Sequence, residues 1–297
     1  MPLGSHEGEQ AIARCPTIGV FDSGFGGLTV LRALLPLVPG ARYLYLGDTA
    51  RLPYGAKSQQ TVARYAVSSA AFLLAQGAEM LVVACNTATA LALEELRAAL
   101  PIPVVGVIDP GAKAASLLMT APTSAGNVAS GSVATAFTSS ARVLVLATTA
   151  TVQSAAYTRA CSAYGLSVYE KACPLLVPLV EEGWVDHPVT AEVLRIYLNE
   201  ALAAAPEATT LILGCTHYPL LRSLIERTLN DLGHPMHLVD SASATALAAA
   251  AILPANATGS KPSCTFYATD SIEKFKRLGS SFLGQPLSNV ELIDLGG

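Results

Sequence analysis

Two short stretches whose cysteines lie 130 positions apart restrict this chain more than anything else in it. Leu211-Ile212-Leu213-Gly214-Cys215-Thr216-His217-Tyr218-Pro219 is an apolar run that stops abruptly at small and polar residues, and Leu220, Leu221, Leu224 and Ile225 then resume at helical spacing. Leu81-Val82-Val83-Ala84-Cys85-Asn86-Thr87-Ala88-Thr89 repeats the order of apolar strand, small residue, cysteine, polar pair and helix. A buried cysteine met once is commonly an inert small hydrophobe. Met twice in the same local setting, it points to a duplicated strand-to-helix unit with a thiol at its turn.

Other strand ends match at nearly the same offset. Asp22-Ser23 corresponds to Thr148-Thr149, and Ile108-Asp109-Pro110 to Val239-Asp240-Ser241, with separations of 126 and 131. A constant offset implies two related halves, and 297 residues suffice for each to bury its own core. The expected fold is α/β: two pseudo-symmetric, doubly wound lobes with mainly parallel sheets and a site in the cleft between them. Residues 17–108 with 240–297 form the first lobe and 109–239 the second, behind a flexible tail over 1–16. The Ser/Thr/Ala/Gly-rich stretch 121–140 lacks periodicity and reads as a surface loop.

Local signals place helices over 28–38, 58–76, 87–100, 111–119, 188–204 and 219–232, and a single helix around Tyr157. A fourth strand over 103–107 ends in Ile108-Asp109-Pro110. The glycines of Asp22-Ser23-Gly24-Phe25-Gly26-Gly27 do not make a dinucleotide loop, because the third position of that register is Thr29.

Composition excludes several classes of function. Apolar residues make up 52% and charged ones 13%, the balance of a compact enzyme, and a net charge of −4 without a basic face argues against nucleic acid as main partner. The Ala-rich stretch 242–253 is too short to span a bilayer, and the first ten residues lack a secretory pattern. A cytoplasmic protein with six reduced cysteines is expected, with no metal: there is no C-x-x-C, and His217 alone stands near Cys215. Cys15, Cys161, Cys173 and Cys264 read as packing residues.

At the carboxyl end of a strand and the amino end of a helix, free N–H groups favour a thiolate and attract carboxylates. Two such ends facing one another would set a thiol on either side of a bound anion. That suits removal of a proton from one face of a carbon and delivery to the other: racemisation without a cofactor.

Phe21-Asp22-Ser23-Gly24, Leu52-Pro53-Tyr54-Gly55, Cys85-Asn86-Thr87-Ala88, Pro178-Leu179-Val180-Glu181-Glu182-Gly183, Gly214-Cys215-Thr216-His217-Tyr218-Pro219 and Val239-Asp240-Ser241 together resemble the motifs of the glutamate racemase family, in its order and spacing. Gly-Cys-Thr-His-Tyr-Pro is the discriminating piece. Ala147-Thr148-Thr149 departs from the Gly-Thr common there. The resemblance implies interconversion of L- and D-glutamate for peptidoglycan, with glutamate as small-molecule partner, no pyridoxal phosphate or metal, and a homodimer as one assembly. It implies Cys85 and Cys215 as the acid/base pair, the first acting on D-glutamate and the second on L-glutamate. Asp22 assists the first thiol, and His217 and Glu181 the second. Asp22, Ser23, Pro53, Tyr54, Gly55, Asn86, Thr87, Thr148, Thr151, Thr216 and His217 are the implied substrate contacts. Racemisation of another small amino acid such as aspartate, and amino-acid binding without chemistry, are the alternatives.

Overall fold

The computed structural model describes residues 15–120, 142–253 and 261–296. The stretch 121–140 and most of the 1–16 tail lie outside the described residues. In chain order the elements are β1 (Thr17–Asp22), α1 (Leu28–Leu34), β2 (Arg42–Gly47), α2 (Gln59–Ala75), β3 (Met80–Val83), α3 (Asn86–Ala99), β4 (Val104–Gly106) and α4 (Ile108–Thr120). They continue with β5 (Arg142–Ala147), α5 (Thr149–Gln153), α6 (Ala156–Ala163), β6 (Ser167–Ala172), α7 (Leu176–Glu181), α8 (Pro188–Ala204), β7 (Thr210–Gly214), α9 (Arg222–Asp231) and β8 (His237–Asp240). The chain closes with α10 (Ser241–Ile252), β9 (Ser263–Ala268), α11 (Ile272–Leu283) and β10 (Val290–Leu292).

Two parallel sheets result, one in the order β10-β9-β2-β1-β3-β4 and the other β6-β5-β7-β8. The run β2-β1-β3-β4 of the first has the same winding as β6-β5-β7-β8 of the second, so the duplication seen in the strand ends is a duplication of topology. In both, the cysteine follows the strand next to the first strand of its unit.

The central strands β1, β2 and β3 of the first sheet are buried on both faces, as parallel strands under crossover helices must be. Ile18, Val20, Tyr43, Tyr45, Met80 and Val82 point into one core. The alternating residues Phe21, Leu44, Leu46, Leu81 and Val83 point into another with α2 and α3. The first core is continuous with Val143, Leu144, Val145, Leu211, Ile212 and Leu213 of the second sheet, through α1, α4 and α10. About 25 cal/mol per Å² of buried apolar surface therefore acts across the junction as well as within each sheet. No described helix is long and apolar enough to cross a membrane.

Several local expectations are corrected. Ile108 opens α4 rather than ending the fourth strand, which stops at Gly106. The helix α1 ends at Leu34, short of position 38. The Tyr157 region is two helices, because Ala155 adopts a left-handed backbone with φ of 52° between them. The expected helix over 219–232 begins as a 3-10 turn, Tyr218–Leu221. Pro219 has no N–H to return to the Cys215 carbonyl, so that turn closes by shorter bonds from Tyr218 N to Cys215 O (3.0 Å) and Leu220 N to His217 O (3.2 Å). Cys215 thus precedes a 3-10 turn, whereas Cys85 caps a full α-helix.

Candidate active site

A cavity of about 450 Å³ opens at the carboxyl ends of both sheets. From the first sheet it receives Ser23, Gly24 and Phe25 after β1, Leu52 to Ala56 after β2, and Cys85, Asn86 and Thr87 after β3. From the second it receives Thr148 and Thr149 after β5, Cys173 and Pro174 after β6, Glu181 at the end of α7 with Glu182 just beyond it, and Cys215, Thr216 and His217 after β7. Strand carboxyl ends are where open parallel sheets leave a crevice; here two crevices share one cavity. Pro53, Tyr54 and Gly55 line it, while Asp22 and Thr151, expected to touch substrate, lie behind its wall.

Cys85 is the N-cap of α3, its Sγ accepting the Ala88 N–H at 3.4 Å and lying 3.4 Å from the Ser23 hydroxyl. The thiolate expected from a helix start is not the resting form. Burial, then the charge of Asp22, push the thiol up to about 12, and the Ser23 and Ala88 contacts pull it back only in part. Asp22 itself is buried, with Oδ2 accepting the Gly24 N–H at 3.0 Å. Burial raises its carboxyl, opposed by the Gly27 N–H and the charge of His217.

The second thiol has a different escort. Cys215 Sγ lies 3.8 Å from His217 Nδ1, and His217 Nε2 lies 3.2 Å from Glu181 Oε1. Lys274 Nζ of α11 stands 3.6 Å from Glu181 Oε2. Burial pulls the imidazole down, but the hydrogen bonds to Cys215 and Glu181 and their charges bring it up to about 10. For Glu181, burial is outweighed by the hydrogen bond and charge of His217, then those of Lys274, which hold the carboxyl below its ordinary range. The edge of the His217 ring meets Phe282 with centroids 4.9 Å apart. Glu181, not Glu182, is the partner of His217.

Neutral hydroxyls close the gap between sheets. Thr87 Oγ1 lies 2.9 Å from Thr148 Oγ1, which lies 3.0 Å from Thr151 Oγ1. On the other side of the cavity Thr29 Oγ1 donates to the Thr216 carbonyl at 3.1 Å. Gly26 permits this approach, because a Cβ there would sit 2.3 Å from Thr216 Oγ1 and 2.6 Å from His217 Nδ1. The cavity wall at Tyr54 is fixed from behind by Asp48, fully buried, which accepts from Tyr54 (2.5 Å), Arg51 Nε (2.7 Å) and Thr269 (3.0 Å).

Sequence reasoning missed Asp48, Lys274 and Phe282. Asp48 in the loop after β2 carried a weak signal, an acid at a strand end; the two residues of α11 carried none. Cys173, read as packing, lines the cavity, with its thiol pushed up to about 12 by burial. Among the described residues no three His, Cys, Asp or Glu side chains cluster as metal ligands would.

Two thiols, one from each copy of a duplicated parallel sheet, face this one cavity, with the Asp22 carboxyl acting on the first by its charge and Glu181 hydrogen-bonded to the histidine beside the second. The sequence profile of the Asp/Glu/Hydantoin racemase family matches residues 18–249, and the chain belongs to that family. Among its relatives, the glutamate racemase of Koribacter versatilis is 47% identical, over 95% of this chain and 98% of that one. Glutamate racemase from Thermus thermophilus, solved with beta-chloro-D-alanine, is 40% identical with a TM-score of 0.79, covering 95% of this chain and 98% of that one. The enzyme from Francisella tularensis, solved with D-glutamate, is 32% identical with a TM-score of 0.81, covering 96% and 99%.

Proposed function

We propose that this chain is a glutamate racemase that exchanges the α-proton of glutamate between Cys85 and Cys215. The observation that carries the reading is the convergence of both thiols on one cavity from equivalent positions in two copies of one topology. Residues 17–108 with 240–297, and 109–239, are the two lobes that hold them.

In the D to L direction the Cys85 thiolate takes the α-proton, leaving an electron pair delocalised into the α-carboxylate, and the Cys215 thiol gives its proton to the opposite face. The reverse direction exchanges the roles. Cys85 rests protonated, so a base must take its proton as substrate arrives. Asp22, whose raised carboxyl brings it nearer to a working base, serves that end, and the substrate ammonium supplies the cation that stabilises the thiolate. At Cys215 the neutral imidazole of His217 takes the thiol's proton on Nδ1 and becomes the imidazolium, which Glu181 holds at Nε2 and which stabilises the thiolate; the proton returns to the sulfur in the reverse step. The hydroxyls of Ser23, Thr87, Thr148 and Thr216, the Asn86 amide and the Pro53 to Gly55 segment orient ammonium and carboxylates, with Thr151 and Asp22 acting from behind.

The same reading sets the enzyme in the cytoplasm, supplying D-glutamate for peptidoglycan. Exposed Leu117 and Leu118 of α4 with Leu247 and Ile252 of α10, on helices that pack together, offer apolar surface for a homodimer that sedimentation would detect. The activity is tested by incubating either enantiomer, after exhaustive chelation, in heavy water and following optical rotation and mass. Conversion with deuterium at the α-carbon of product is expected; no conversion of either enantiomer refutes the proposal.

A further inference from the structure

Tyr157 belongs to α6, on the second sheet, and is fully buried. Its hydroxyl donates across the junction to Asn86 Oδ1 at 2.8 Å, the residue immediately after Cys85. Its ring lies against Gly214, immediately before Cys215, where an added Cβ would come within 3.0 Å of Tyr157 Cε2. One side chain thus touches the neighbours of both thiols. Asn86 lines the cavity at 2% exposure, and its Nδ2 has no hydrogen-bond partner among the described residues.

A side-chain amide left to itself can turn either its oxygen or its nitrogen toward a ligand. Burial, the largest influence on the Tyr157 phenol, holds it far above its ordinary range, so it keeps its proton and acts as donor. An acceptor must meet that donor, and Oδ1 does. The nitrogen is left over, and a buried unpartnered N–H gains most from a charged acceptor.

We propose that Tyr157 is a positioning residue that fixes the Asn86 amide with its nitrogen toward a substrate carboxylate, so that the site favours glutamate over analogues bearing a carboxamide in that place. The proposal rests on the racemase reading and deepens it. It also explains why a tyrosine hydroxyl crosses the junction here: donor polarity at Asn86 is imposed by the second sheet on a residue of the first. The sheets must be together before the amide is set.

The test is Tyr157→Phe, which keeps the ring against Gly214 and removes only the donor. KM for both enantiomers should rise about tenfold with kcat changed by no more than about twofold, the loss of one charge-assisted contact to bound substrate. Preference for glutamate over glutamine or isoglutamine, measured as competing ligands, should fall for one of the two. In an Asn86→Ala background Tyr157→Phe should have no further effect on KM. Asn86→Asp provides a variant independent of Tyr157 folding: it presents an acceptor to the cavity, and should lose glutamate binding while gaining one of the two amides. An unchanged KM in Tyr157→Phe, the same penalty in the Asn86→Ala background, or undiminished glutamate binding in Asn86→Asp overturns the proposal. Absence of glutamate turnover in the wild type refutes the racemase reading instead; turnover with an unchanged Tyr157→Phe refutes only the positioning role.

Discussion

Replacing Glu181 by Gln removes the charge that holds His217 while nearly preserving the shape of the side chain. The Glu181 and His217 side chains are 18% and 10% exposed, so solvent screens the pair little. A hydrogen bond between charged partners in such a place contributes about 1.5–3 kcal/mol, and its loss from the transition state lowers kcat/KM roughly 10- to 100-fold. L- and D-glutamate are mirror images of equal free energy, so the equilibrium constant is one and kcat/KM falls by the same factor in both directions. Rates alone cannot say which thiol was weakened. Isotope effects can, because slowing proton transfer at Cys215 makes that step limiting in either direction. With α-deuterated substrates followed by circular dichroism, the isotope effect on kcat/KM should grow for L-glutamate, whose deuterium Cys215 removes. It should shrink for D-glutamate, whose deuterium leaves earlier to Cys85. A loss smaller than about threefold, or isotope effects that grow for both enantiomers, would refute the pairing of Glu181 and His217 with Cys215.

Cys85→Ala and Cys215→Ala should each abolish racemisation while calorimetry still detects glutamate, since one variant lacks the base and the other the acid; full activity in either sinks the two-thiol mechanism. Gly26→Ala would place a Cβ 2.3 Å from Thr216 Oγ1, forcing the junction apart. Overpacking of this kind costs about 1–3 kcal/mol and should lower both melting temperature and turnover; a neutral variant would show that the sheets approach less closely. Stability should also fall with alkali. With His217 raised from 6.5 to about 10, its contribution is complete below pH 6.5 and is lost as pH climbs through about 10. Cys85, moved from 9.0 to about 12, acts with the same sign above pH 9, where the unfolded chain ionises first. The melting temperature should therefore decline between pH 7 and 10, less so in His217→Asn, and a flat profile would refute the charged imidazole.

The two thiols, their following polar residues and the strand ends opposite them were legible because a strand that stops at Cys85 or Cys215 is a local event. Period and turn chemistry report it directly. The parallel character of the sheets followed from the same alternation of strand and helix. What could not be read came from distance or from competition. Lys274 and Phe282 reach the site from α11 only because β9 returns to the first sheet, and nothing near them in sequence marks that journey. The split at Ala155 runs against the residue's own preference for a negative φ. The raised thiol at Cys85 is a contest between a helix start and burial beside Asp22, in which burial, set by the surrounding fold rather than by neighbours in sequence, outweighs the helix start.

The place of β9 in the first sheet has a consequence for biosynthesis. It pairs with β2 along the whole length of both strands, in register from Arg42↔Ser263 to Gly47↔Ala268. About 216 residues separate Gly47 from Ser263, a span a ribosome covers in roughly 10–40 s at ordinary rates. Throughout that interval the nascent chain has β2 as a bare edge, rich in Tyr and Leu, with its ladder groups unpaired, while the whole second sheet can emerge and close. The sheet begun first is thus the one finished last, and until Ser263–Ala268 is made its β2 edge stays open to pairing with another strand.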